Sequence, residues 1–118
     1  MSDLSKSKCL IILDHILECE NRLQKIKTSE DFNNSDEGRI LLDAISMRLQ
    51  AIGENIKGLF KIDPAIAVRN ENVEWDEMIR FRDFISHHYE MLDYAVIFDI
   101  GKNHLPVLKI AIESELKS

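Results

Sequence analysis

A long helical pattern runs through Ile45-Ser46-Met47-Arg48-Leu49-Gln50-Ala51-Ile52-Gly53-Glu54-Asn55-Ile56-Lys57-Gly58-Leu59. Its branched apolar residues recur at offsets of 0, 4, 7, 11 and 14, the spacing that places side chains on one face of an α-helix. The segment from Leu4 to Ile26 carries the same offsets, at Ile12, Ile16, Cys19, Leu23 and Ile26. Two long helices with matching apolar faces are therefore predicted to pack antiparallel.

Two more helices are predicted after Asp63-Pro64, which ends the second helix because the residue before a proline disfavours α geometry. The third begins at Trp75, and its buried line is predicted as Met78, Phe81, Ile85 and Leu92. The fourth begins near the candidate N-cap Asp93, and its apolar face is predicted as Val96, Ile100, Val107 and Ala111.

Pro106 lies inside this last helix, and its missing N–H is expected to bend the helix. Residues 27–37 and 65–74 are predicted as connections, the second containing at most a short turn. The chain has 118 residues, too few for two separate cores, so one domain over residues 1–118 is expected. The predicted fold class is an all-α, antiparallel four-helix bundle.

Charge and composition limit the classes of function. The net charge of −6 gives no general attraction to nucleic-acid phosphates, although a small local site is compatible with it. No apolar run is long enough to span a bilayer and the N-terminus has no secretory signal, so we expect a cytoplasmic protein without a membrane partner. Cys9 and Cys19 would lie roughly 15 Å apart on one helix, too far for a disulfide. No metal or nucleotide-binding motif is present, so no metal or cofactor is expected.

The segment from Trp75 to Tyr89 concentrates aromatic, arginine and histidine side chains. Arg82 and Tyr89 are seven residues apart and nearly aligned on a helix, with Ser86 between them. The Asp83 carboxylate, four residues before His87, is placed to hold one imidazole nitrogen. Arg82 and His87 are separated by about 140° around the helix axis, so one straight helix does not aim both at one small target.

Each of these residues also has a purely structural interpretation. Arg82 is also compatible with a solvated or salt-bridged surface residue, and Tyr89 with a core residue whose hydroxyl reaches the surface. His88, beside the apolar stripe, and His104, on the apolar arc of the fourth helix, are interpreted as packed side chains. His15 is given no functional role.

The spacing of Arg82, His87 and Tyr89 resembles the R-x-x-x-x-H-x-Y motif of the HepT proteins, a prokaryotic branch of the HEPN superfamily. The resemblance covers nearly the whole chain. It includes residues 28–32, residues 44–55 with their Ile-Gly-Glu block, the helix start at Trp75 and the Leu105-Pro106 pair. The chain departs from the pattern at Asp83, where the family often has asparagine. This difference concerns contact with the substrate rather than membership of the family.

The resemblance implies a homodimeric ribonuclease that is the toxin of a type VII toxin–antitoxin pair. Its antitoxin partner would be a minimal nucleotidyltransferase that transfers AMP to the motif tyrosine, here Tyr89. Arg82 and His87 would be catalytic, with Asp83 in support. Histidine suits proton transfer and arginine suits binding of phosphate oxygens, so metal-independent cleavage of an RNA substrate is chemically compatible with this set. Two motif copies at a dimer dyad would supply the groups that one helix cannot.

An alternative function is a non-catalytic interaction subunit that serves as a helical platform for a nucleotidyltransferase. The net charge of −6 favours this alternative, because RNA would approach without long-range attraction. The intact set of Arg82, His87 and Tyr89 favours the toxin, because a platform has no need of it. We therefore favour the ribonuclease.

Overall fold

The computed structural model describes residues 1–118 and contains helices and turns but no strand. Its α-helices are α1 (Asp3–Leu23), α2 (Asp36–Ile62), α3 (Ile66–Arg69), α4 (Trp75–His88), α5 (Tyr94–Asp99) and α6 (Leu105–Lys117). Short 3-10 turns lie at Ser29–Phe32 and Tyr89–Met91, and a π turn at Ile100–His104 joins α5 to α6. The predicted all-α bundle is confirmed, with α1, α2, α4 and the α5–α6 rod as its four columns.

Helices α1 and α2 bury the two apolar faces that the sequence predicts. All five residues of each predicted face are at most 4% exposed. Ser2 and Ser35 cap the two helices by accepting hydrogen bonds from the backbone N–H groups of Ser5 and Gly38. Helix α1 ends at Leu23, three residues before the predicted end, yet Ile26 beyond it is buried.

Cross-helix contacts show that neighbouring columns run antiparallel. On α1, Lys8 lies beside Gly58 of α2, whereas His15 lies beside Arg48. A later residue of α1 therefore meets an earlier residue of α2, as the matching stripes predict. The same order relates α4 to α2, because Arg82 meets Glu54 and the later Tyr89 meets Asp43.

Helix α4 begins at Trp75, as predicted, and the Trp75 Nε1–H donates to the Asn70 carbonyl oxygen at 3.0 Å. Met78 and Ile85 are buried, whereas Phe81 is only half-buried. Leu92 is also half-buried and lies past the end of α4, so the predicted buried line stops before it. Asp93 caps α5 by accepting from the Ala95 N–H at 2.8 Å, as its position predicts.

The predicted apolar face of the last column is confirmed in part, and a π turn interrupts the column. The Leu105 N–H donates to the Ile100 carbonyl oxygen, five residues earlier, so the turn contains one residue more than an α-helical turn. Downstream side chains are therefore rotated relative to a regular helix. Of the predicted face, Ile100 and Ala111 are buried, Val107 is half-buried, and Val96, which precedes the turn, is 42% exposed. The other buried residues of this column include Ile97, Leu105, Leu108 and Ile112. The irregularity expected at Pro106 is thus a π turn that begins six residues earlier.

Two further features of the fold complete the description. Cys9 and Cys19 are both free, as their spacing predicts, and both are fully buried. No helix of the structure combines the length and the apolar character that crossing a bilayer demands.

Candidate functional site

Arg82 lies in the contact between α4 and α2 with its guanidinium held by two carboxylates. Its Nη2 is 2.7 Å from Glu54 Oε2, and its Nη1 donates to Asp83 Oδ1 at 3.0 Å. The side chain is 22% exposed, and its Nε is buried without a hydrogen-bond partner. Arg82 is therefore salt-bridged, as its structural interpretation expects, and the two carboxylates fix the guanidinium between two helices rather than in open solvent.

The Asp83 carboxylate contacts Arg82 and Lys57 and does not hold the His87 ring. The Lys57 Nζ lies 3.7 Å from Asp83 Oδ1. The hydrogen bond from Arg82, followed by the charge of Lys57, lowers the pKa of the Asp83 carboxyl below its ordinary value. The expected carboxylate–imidazole contact is wrong, because the Asp83 side chain is drawn toward the two cations on the α2 side.

His87 is oriented by the main chain of α4. Its Nδ1 lies 2.8 Å from the Asp83 carbonyl oxygen. A carbonyl oxygen only accepts, so Nδ1 carries the proton and donates it, and Nε2 of the neutral ring is left as an acceptor. The residue is exposed, whereas Arg82 faces α2. The two predicted catalytic side chains therefore leave α4 on different sides, as their five-residue spacing indicates.

Tyr89 begins the 3-10 turn that follows α4, and its hydroxyl donates to the Asp43 carboxylate on α2. Burial raises the pKa of Tyr89 to about 12, and the hydrogen bond to Asp43 and the charge of Asp43 raise it in the same direction. The side chain is 46% exposed, so the hydroxyl lies at the protein surface rather than in the core.

Arg82, Ser86 and Tyr89 contact one polar strip of α2, which we call the α2 strip and which consists of Asp43, Gln50 and Glu54. The Gln50 amide donates to Ser86 Oγ at 2.8 Å. The strip residues are spaced seven and four apart, so they share one helix face. Sequence reasoning found the α4 side of this contact but missed the α2 side. The spacing of the three polar residues was the available signal.

The remaining histidines are distributed outside this contact. His88 is exposed, and its ring packs against that of Phe84 with the centroids 5.3 Å apart, so the side chain is packed on a neighbour without being buried. It is the last residue of α4. His104 is half-buried, 3.6 Å from an Asp99 oxygen. Burial and the charge of Arg48 lower the pKa of His15.

The structure contains no group of three or more His, Cys, Asp or Glu side chains that are close enough to hold one metal ion. The polar groups of the site are a fixed guanidinium, an exposed imidazole of defined tautomer and a tyrosine hydroxyl bonded to a carboxylate. The first two groups are the kinds that bind a phosphate and move a proton.

Comparison with known proteins gives several relatives that are named as putative RNases. Two proteins named as putative RNases are similar over most of their length. MJ1380 of Methanocaldococcus jannaschii is 27% identical over 93% of this chain and 98% of its own. TTE0752 of Caldanaerobacter subterraneus subsp. tengcongensis is 30% identical over 89% of this chain and 91% of its own.

A third relative from M. jannaschii is named gamma-glutamylcyclotransferase and putative RNase MJ0434. It is 31% identical over 84% of this chain, and the chain spans only 43% of its length. No solved structure matches the chain. The family model described as "Ribonuclease HepT-like" matches residues 12–115, a range that holds Arg82, His87 and Tyr89. The chain therefore belongs to the HepT-like family of ribonucleases.

Proposed function

We propose that this chain, as one domain over residues 1–118, is the metal-independent endoribonuclease toxin of a type VII toxin–antitoxin system. It acts in the cytoplasm on RNA, and Arg82 and His87 cleave the strand in a groove of a homodimer. A minimal nucleotidyltransferase silences it by transferring AMP to Tyr89. The observation that carries the proposal is a fixed arginine and an oriented histidine in a chain of the HepT-like ribonuclease family.

Arg82 is proposed to bind the scissile phosphate. The contacts with Glu54 and Asp83 hold the guanidinium in one orientation before RNA arrives, which reduces the entropy lost on binding. A bound phosphate would share the N–H donors with these carboxylates. Asp83 is therefore a positioning residue, and it orients the arginine rather than the histidine.

His87 is proposed to move the proton of the attacking group. Its Nε2 accepts the proton of the ribose 2′-hydroxyl while the 2′-oxygen bonds to phosphorus and the bond to the 5′-oxygen breaks. The leaving oxygen takes a proton from an imidazolium, either this one or the copy on the second chain. The products are a 2′,3′-cyclic phosphate and a 5′-hydroxyl.

A two-fold dimer with α4 near the dyad would bring Arg82 of one chain and His87 of the other to the same phosphate. This arrangement is supported by the different directions in which the two side chains leave α4. It is also supported by the small size of the chain, because a 118-residue core gains from an added interface.

The catalytic assignment is tested with Arg82→Ala and His87→Ala on a mixed RNA substrate. Both variants are expected to lose cleavage and to stay folded. His87→Ala should leave the urea unfolding midpoint nearly unchanged, whereas Arg82→Ala should lower it, because the contacts with Glu54 and Asp83 are lost. Wild-type cleavage should persist in EDTA. The matched control is His88→Ala, an exposed histidine one residue away, which should keep its activity. Cleavage by both motif variants at the wild-type rate would remove the assignment.

Tyr89 is proposed as the off-switch, with Asp43 taking the proton of its hydroxyl. The phenolic oxygen would attack the α-phosphorus of ATP on the partner enzyme and pyrophosphate would leave. The attached nucleotide would then place a negative charge and considerable bulk next to the α2 strip. The hydrogen bond from Tyr89 to Asp43 supports this role, because the carboxylate already accepts from the hydroxyl.

Intact-mass spectrometry after incubation with the nucleotidyltransferase, ATP and magnesium tests the switch. Wild type should gain AMP-sized mass, Tyr89→Phe should gain none, and Asp43→Asn should gain it more slowly. Tyr94→Phe is the control, because Tyr94 also donates to a carboxylate, on Glu30. An adduct on Tyr89→Phe contradicts the switch. AMP transfer to a wild-type protein that cleaves no RNA would favour the non-catalytic interaction subunit instead.

A further inference from the structure

A groove of about 370 Å³ lies between α4 and the π turn, on the side of α4 away from the α2 strip. Its lining is apolar at Met78, Phe81, Phe84, Val96 and Ile100. Phe84 is 39% exposed and Val96 is 42% exposed, so large apolar surfaces face solvent here. The α2 contacts of Arg82, Ser86 and Tyr89 do not involve this groove.

The polar side chains of the groove give a phosphate little net attraction. Glu77 and Asp99 contribute carboxylates, the Arg80 guanidinium offsets only one of these charges, and His104 contributes ring nitrogens. Each acid lies near a base, since Glu77 pairs with Arg80 and Asp99 lies 3.6 Å from His104. Acceptors and donors around an aromatic floor are what the edge and the face of a nucleobase require.

Two aromatic side chains, Phe84 and His88, lie between the groove and the proposed catalytic histidine. Phe84 lines the groove and packs against His88, whose ring centroid is 6.5 Å from that of His87. Phe84 and His87 are three residues apart on α4, so their Cβ atoms lie about 5–6 Å apart. A nucleotide whose phosphate lies at His87 would therefore have a neighbouring base within reach of Phe84.

We propose that this groove binds one unpaired base of the RNA strand, next to the scissile phosphate, with Phe84 as the stacking surface. The inference rests on the proposed function and adds a specificity site to it. The π turn contributes Ile100 and His104 to the far wall of the groove. The base would enter with its edge toward the polar side chains, while its phosphate stays outside the acidic rim.

The test compares Phe84→Ala with Ile110→Ala, which truncates an exposed apolar residue on α6 outside the groove. The first readout is binding of a 2-aminopurine-labelled DNA strand, which cannot be cleaved because it lacks the 2′-hydroxyl. Wild type and Ile110→Ala should quench the fluorescence, and Phe84→Ala should bind about tenfold more weakly, as expected for loss of one stacking contact. Val96→Phe, which fills the groove, should weaken binding in the same way.

The second readout is the base found beside each cleavage site in a random RNA pool. Wild type should show a preference that Phe84→Ala flattens, through a higher KM at nearly unchanged kcat. If wild type binds and cleaves, and Phe84→Ala behaves like Ile110→Ala in both readouts, the proposed base site is contradicted and the proposed function is not. No binding or cleavage by wild type would overturn the proposed function with it. A changed mass of Phe84→Ala in light scattering, with an unchanged base preference, would make the groove a protein contact and overturn the base site.

Discussion

Arg82 depends for its position on a glycine of the neighbouring helix. A Cβ added to Gly53 would lie 2.3 Å from the Arg82 Cβ and 3.0 Å from the Met78 carbonyl oxygen. Helices α2 and α4 therefore touch almost at backbone distance at this point. The next residue, Glu54, is thereby close enough to hold the Arg82 guanidinium.

Gly53→Ala should therefore destabilise the protein by about 1–3 kcal/mol, because neither the Arg82 Cβ nor the Met78 backbone can move without moving α4. Gly58→Ala is the matched control on the same helix, since its Cβ would meet only the flexible end of Lys8, at 3.1 Å. That variant should stabilise by up to about 1 kcal/mol through helix propensity. Urea unfolding of both variants measures the difference. Equal effects of the two substitutions would contradict the close contact at Gly53.

Helices α3 and α6 are joined by Glu115. Arg69 donates to its carboxylate from Nη2 at 2.7 Å, and Asn70 donates from Nδ2 at 3.0 Å. The hydrogen bond from Arg69 lowers the pKa of the Glu115 carboxyl below its ordinary value. The stability that the carboxylate contributes is therefore fully present above that ordinary value and is lost as the pH falls through the lower pKa of the folded state.

Glu115→Gln should lower the free energy of unfolding at pH 7 by about 1–2 kcal/mol, because the charge-assisted hydrogen bonds become neutral ones. The difference from wild type should shrink as the pH falls below about 4.3, the ordinary value for a glutamate. Urea unfolding at pH 7 and at pH 3 measures both effects. A difference that is the same at the two pH values would contradict the role of the charge.

The elements also show which features a sequence can reveal. The faces of α1 and α2 were predictable because each is one uninterrupted helix whose period holds from end to end. The face of the α5–α6 rod was predicted only in part, because the π turn adds one residue between Ile100 and Leu105 and shifts the phase of the apolar spacing there. In the site, Arg82, His87 and Tyr89 lie within eight residues of each other, whereas Glu54 and Asp43 reach them only through the packing of α2 on α4.

The proposed dimer makes a prediction for the molecule as a whole. If Arg82 of one chain acts with His87 of the other, a heterodimer of Arg82→Ala and His87→Ala has one intact site and one site that lacks both groups. Mixing the two inactive homodimers and allowing exchange should restore about a quarter of wild-type activity, since half of the dimers are mixed and each has one working site. The measurement is RNA cleavage before and after exchange, with each variant incubated alone as control. If heterodimers are shown to form and the mixture still does not cleave RNA, Arg82 and His87 of each site come from the same chain.

The π turn between α5 and α6 has a consequence for changes in chain length. The buried residues Ile97, Ile100, Leu105, Leu108 and Ile112 would fall on one regular helical stripe if a single residue were absent between Ile100 and Leu105. Asn103 is exposed in this turn, and its side-chain amide donates a hydrogen bond to the nearby Asp99 carboxylate. Loss of this one codon would let α5 and α6 fuse into an ordinary α-helix without turning either half away from the core. The fold should therefore tolerate the gain or loss of one residue here. Such a change would reshape the groove beside Phe84 and leave Arg82 and His87 where they are.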